Sequence, residues 1–189
     1  MRATRLLVLL LIMLTAAGCA RHAAAIADVP DTAMAAVETY TLDSGDKLRI
    51  VVFGQDGLTS SYAVDAGGNV TMPLIGSVRA RGQTTAQLAQ AIGAKLREGF
   101  IREPHVAVEI EANRPFFILG EVTAPGQYPY VANMTVETAV AIAGGFTPRA
   151  QTGRVVISRP VRGDTLRTSV PIVAPVRPGD TIVVGERWF

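Results

Sequence analysis

Hydrophobic and polar positions divide the chain into four stretches with different periods. Leu6–Leu14 is unbroken apolar sequence behind Arg2 and Arg5. Residues 20–37 are alanine-rich and without period, and they read as a tether. From Tyr40 the pattern becomes that of folded protein. Leu48–Phe53 and Asn69–Ile75 are β-rich runs, the second set off by the turn signal Gly67-Gly68. Thr84-Thr85-Ala86-Gln87 fits a capping box, and Leu88, Ile92 and Leu96 recur at helical spacing up to a stop at Gly99. His105–Glu111 alternates as a half-buried strand. Past Phe116–Val122, a strand, Pro125-Gly126 suits a type II turn, with glycine at the position that needs positive φ. A short helix is expected over 135–143, with Glu137 favourable in its first turn and Gly144-Gly145 closing it. Strands follow at Arg154–Arg159, Leu166–Val170 and Thr181–Val184. Each half is strands around one helix, so the expected class is α+β, with two small mixed domains at 39–112 and 113–189.

Composition and charge narrow the function. Apolar residues make up 49% and charged residues 18%, enough for packed cores. The formal net charge is +2, but removing Arg2 and Arg5 leaves 16 basic against 16 acidic residues. A balanced chain has no general electrostatic reason to bind nucleic acid. Charge is nevertheless placed unevenly. Glu103–Glu137 holds five acidic residues against Arg114, whereas Arg149–Arg187 holds seven arginines against three acids. Two oppositely charged solvated faces would account for this. So would a head-to-tail ring, with Arg154 and Arg159 facing Glu109 and Glu111 of a neighbouring copy. The arginines could also face an anionic glycan.

The N-terminus has the three parts of a secretory signal, residues 1–18: basic, apolar, then small. Its apolar run is too short to span a bilayer. Cys19, the chain's only cysteine, follows directly and excludes an intrachain disulfide. Thr15-Ala16-Ala17-Gly18-Cys19 resembles the lipobox of bacterial lipoproteins, which implies acylation of Cys19 with palmitate-like chains. Residues 19–38 are then a lipidated tether, and Ala20 in place of aspartate points to the outer membrane, facing the periplasm.

Catalytic chemistry is sparse. His22 falls in the tether, which leaves His105 alone in the folded part. No HExxH, GxSxG or P-loop spacing occurs. Glu109 and Glu111 share a strand face and read as a solvated edge rather than a glycosidase pair. No enzyme activity, cofactor or metal is expected. Ser44-Gly45-Asp46 and Pro178-Gly179-Asp180 form a faint repeat, each leading into an apolar strand. Backbone geometry explains it, with glycine at positive φ and aspartate holding a local N–H. The alternative makes the aspartates metal or sugar ligands. Tyr128, Tyr130 and Trp188 are candidate surfaces for stacking sugar rings, although strand aromatics are often core.

Taken in order, Tyr40–Leu48, Gly68–Gly76, Gly82-Gln83-Thr84, Pro104–Val108, Leu119–Val122, Pro125–Tyr128, Ala143–Gly145 and Pro178–Asp180 resemble the polysaccharide export lipoprotein family. Ser44 and Glu103 depart from its usual proline and aspartate. The resemblance implies an export domain followed by a soluble-ligand-binding β-grasp (SLBB) domain. It also implies a lipid-anchored homo-oligomeric ring that passes capsular or exopolysaccharide, working with an inner-membrane copolymerase or kinase. Longer members end in an amphipathic helix that crosses the outer membrane. Here the sequence closes on the strand-like Thr181–Val184 and Trp188-Phe189, so the expected form is a short one relying on a separate outer-membrane β-barrel. A monomeric periplasmic ligand- or glycan-binding lipoprotein is the rival reading.

Overall fold

Alternation in β1 (Lys47–Val52) buries Leu48, Ile50 and Val52 and turns Lys47 and Arg49 outward. The computed structural model describes residues 40–161 and 164–188. The signal, the tether and Cys19 therefore lie outside the described residues. β1 is flanked on one side by β2 (Ser60–Ala63) and on the other by β5 (Val106–Ala112), both antiparallel. A separate hairpin joins β3 (Asn69–Met72) to β4 (Gly76–Arg79). Helix α1 (Thr85–Arg97) closes over this layer and sets Leu88, Ile92 and Leu96 into the core. Its start is as expected. Thr84 Oγ1 accepts the Gln87 N–H at 3.2 Å, and Gln87 Oε1 accepts the Thr84 N–H at 2.9 Å. Gly99, at φ +106°, follows its end.

The second half forms one five-stranded sheet in the order β7-β6-β10-β8-β9. Its strands are β6 (Phe116–Gly120), β7 (Gly126–Tyr128), β8 (Arg154–Val161), β9 (Asp164–Pro171) and β10 (Thr181–Val184). β6 and β10 run parallel, and every other pair is antiparallel. Helix α2 (Val136–Ile142), capped by Thr135 and closed by Gly144 and Gly145 at positive φ, supplies Val136, Ala139 and Val140 to a core shared with Phe116, Ile118, Ile157 and Ile182. The fold is α+β, as expected.

Three local expectations are corrected. The run 69–75 is not one strand: β3 stops at Met72, and Leu74, 59% exposed with φ +68°, stands in the turn to β4. Pro73 has no N–H to continue a ladder, which is why the run breaks there. Gly126 is not among the glycines at positive φ, so no type II turn forms at Pro125-Gly126. Instead Gly126 opens β7 opposite Ile118. β5 is not evenly half-buried, since only Val106–Val108 are partly covered and Glu109–Ala112 are exposed. It is an edge strand, and an alternating sequence does not reveal how many neighbours a strand has.

Candidate functional site

The two Gly-Asp turns sit at the junction of the two cores and at the sheet beside it. Gly45 and Gly179 take φ +92° and +85°, which lets each turn aim its aspartate inward. Among the described residues Asp46 and Asp180 are the buried charged residues, both fully shielded from solvent. Asp46 accepts the Tyr40 hydroxyl at 2.7 Å and the N–H groups of Asp43 and Arg114 at 2.9 Å each. The Arg114 guanidinium lies 3.3 Å from the same carboxylate and donates to the Tyr40 hydroxyl at 2.9 Å. Asp180 accepts two parallel bonds from Arg159, at 2.8 and 2.7 Å, and the Arg177 N–H at 2.8 Å.

Arg114 connects the two turns. A Cβ added to Gly45 would touch its Cβ at 3.4 Å, and one added to Gly179 would lie 2.8 Å from its Nε. The residue that leads from the first core into β6 is thus held between both glycines, over the Tyr40 ring. Sequence reading missed this role. Its one trace was Arg114's position as the single base in an acidic stretch. Asp46 and Asp180 spend their acceptors on the chain itself, which is the structural alternative for the repeat. Among the described residues no group of three or more histidines, cysteines or acids could hold a metal ion.

Burial raises the Tyr40 hydroxyl well above its ordinary pKa of 10.0, and the Asp46 carboxylate adds to the shift. The folded state thus holds this proton more tightly than the unfolded chain. The stabilisation is complete below pH 10 and is lost as pH rises above it. Tyr40→Phe should cost about 1 kcal/mol at neutral pH. The gap in melting temperature between wild type and Tyr40→Phe should then shrink above pH 10. A gap that stayed constant across that range would contradict the assignment. Asp43 behaves differently. Burial alone would raise its carboxyl, but the Ser44 N–H and the Arg81 guanidinium, at 2.7 Å, outweigh that and hold it low.

The sequence-predicted residues fall into two groups. Tyr128 and Tyr130 pack against the second core. The Tyr128 ring stacks on Phe116 with centroids 5.9 Å apart, and its hydroxyl donates to the Ala124 carbonyl. Both are half-buried, whereas Trp188 is 89% exposed. Arg159 belongs to the Asp180 pair, so reversing its charge would disturb the fold before any interface. Arg154 is exposed and donates to Ser169 Oγ and to its carbonyl, at 3.1 and 2.6 Å. Glu109 stands opposite Arg49 on the edge strand β5, and Glu111 is the extra residue where the β1–β5 register shifts. Among the described residues, no hydrogen bond or ion pair joins either glutamate to an arginine of the second sheet. No helix among the described residues is long and apolar enough to cross a membrane.

Residues 34–111 match the family model described as polysaccharide biosynthesis/export protein. Residues 115–169 match the SLBB domain model. The exopolysaccharide production protein ExoF of Rhizobium meliloti is 34% identical over 133 residues, covering 64% of this chain and 31% of that protein. The polysialic acid transport protein KpsD of Escherichia coli is 26% identical over 160 residues, covering 78% of this chain and 28% of that protein. The chain spans less than a third of the length of each of these curated relatives.

Proposed function

We propose that this chain, which belongs to the polysaccharide biosynthesis/export protein family, is a non-catalytic component of capsular or exopolysaccharide export. The observation that carries the reading is the pair of matches in order, an export domain and then an SLBB domain, falling on two successive hydrophobic cores. The chemistry of the junction agrees with it. The buried carboxylates are occupied by guanidinium, hydroxyl and N–H donors within the chain, an arrangement that holds a scaffold rigid rather than one that turns over a substrate.

In this reading Cys19 carries the lipid that anchors the chain to the outer membrane on its periplasmic side. Copies associate head to tail into a ring around the path of the polymer, and an inner-membrane partner delivers the polymer to it. Relatives named for exopolysaccharide production and polysialic acid transport support a polysaccharide cargo. The exposed Arg154 beside one sheet edge and Glu109 and Glu111 on another offer the unlike surfaces that a closed heterologous contact requires.

Two measurements test the anchor and the ring. Metabolic labelling with a palmitate analogue should mark the wild-type chain and not Cys19→Ser, and label persisting in the mutant would contradict the anchor. Mass measurement of the detergent-solubilised protein should return a multiple of the mass of the lipidated chain that begins at Cys19. A monomer at micromolar concentration would favour the ligand-binding lipoprotein instead.

A further inference from the structure

One register row crosses all five strands on the outer face of the second sheet. Phe117 stands opposite Gln127 on one side and Thr181 on the other. Thr181 is opposite Ser158, and Ser158 is opposite Arg167. Residues paired this way present their side chains on the same face. At roughly 4.8 Å between strands, the row runs about 19 Å. The alternate residues Phe116, Ile118, Ile157 and Ile182 fill the core beneath α2, whereas Phe117 is 40% exposed.

The chemistry along this row is mixed in a specific way. An aromatic face lies between an amide and a hydroxyl, a second hydroxyl follows, and a guanidinium ends the line. Sugar rings offer the complement: apolar C–H faces for an aromatic, and edge hydroxyls for amide and hydroxyl partners. Charge on this face is one-signed. Its strand positions include Arg154 and Arg167 and no carboxylate, because Asp164 alternates to the inner side of β9. Among the described residues Arg167 has no ion-pair partner. A protein partner fits less well. Phe117 and Leu119 are the exposed large hydrophobics on this face, a small patch beside the roughly 800 Å² per partner of a stable protein interface.

We propose that the row Gln127–Phe117–Thr181–Ser158–Arg167 is a binding track for an acidic glycan chain. A sugar ring stacks on Phe117, its hydroxyls meet Gln127, Thr181 and Ser158, and Arg167 pairs with a carboxylate of the chain. The ligand class rests on the export reading; the placement rests on the sheet register alone. The track also accounts for an open sheet face next to the junction, since Phe117 lies three residues beyond the clamped Arg114.

The test uses the full lipoprotein in detergent, titrated with oligogalacturonate and with maltohexaose as the neutral control. Oligogalacturonate should bind more tightly than maltohexaose, and less tightly as salt rises. Phe117→Ala and Arg167→Gln should each weaken it about tenfold, the equivalent of 1.4 kcal/mol, with melting temperature unchanged. Gln127→Ala, on the exposed short edge strand, provides a third variant should Phe117→Ala perturb folding. Three results would overturn the track: no binding of oligogalacturonate by the wild-type protein, equal binding by all three variants, or Phe117→Ala shifting oligomer mass while leaving glycan affinity intact. The last would make this face a contact between copies. None of these results touches the export reading, which is judged by polymer release from cells lacking the chain.

Discussion

Asp180→Ala should lower stability by about 3 kcal/mol, the lower end for breaking a buried ion pair from one side. Asp180 is fully buried, and Arg159, with side-chain exposure of 24%, places both guanidinium bonds on it. Removal takes both Asp180 acceptors from that guanidinium and also releases the Arg177 N–H, which closes the turn into β10. For a folded unit of this size the fall in melting temperature should be about 6–12 °C. Loss of export should follow loss of folded protein across a series of temperatures. An Asp180→Ala protein with unchanged melting temperature and no export would instead make the carboxylate a ligand.

Gly120→Ala should be comparably damaging for a different reason. Gly120 ends β6 at φ +86°, and an added Cβ would sit 2.1 Å from the Val184 carbonyl oxygen. That oxygen belongs to the backbone of β10 and already accepts the Glu121 N–H at 3.0 Å, so it cannot move aside cheaply. Left-handed backbone costs about 1–2 kcal/mol for a non-glycine residue, and overpacking adds about 1–3 kcal/mol. The expected loss is therefore about 3 kcal/mol, read by denaturant or thermal unfolding. A loss below about 0.5 kcal/mol, the usual range of a surface change, would mean that the parallel β6–β10 pair does not hold this geometry.

How far the sequence announces these features depends on how local their causes are. The α1 cap is written in four consecutive residues, and both of its hydrogen bonds form. Gly45-Asp46 and Gly179-Asp180 show their turn geometry in the same way, because positive φ and an inward carboxylate are short-range requirements. The partners of those carboxylates are not short-range. Arg114 is 68 residues from Asp46, and Arg159 is 21 from Asp180. Nothing in the local pattern distinguishes them from solvated arginines. Tyr128 and Tyr130 invite a stacking role as sequence, yet their alternation and the neighbouring Phe116 draw them to the core. Phe117 is the converse case. In the pair Phe116-Phe117 alternation requires one ring to face outward, but only the five-strand register shows what stands beside it.

The central claim, that this chain moves polysaccharide rather than making or sensing it, meets its most direct test in the cell. The gene would be deleted, and polymer measured separately in the culture medium, at the cell surface and in the periplasm. The account predicts that extracellular polymer falls sharply while polymer of normal composition accumulates inside the envelope, and that the wild-type gene restores release. Unchanged release, or polymer absent from every compartment, would contradict it.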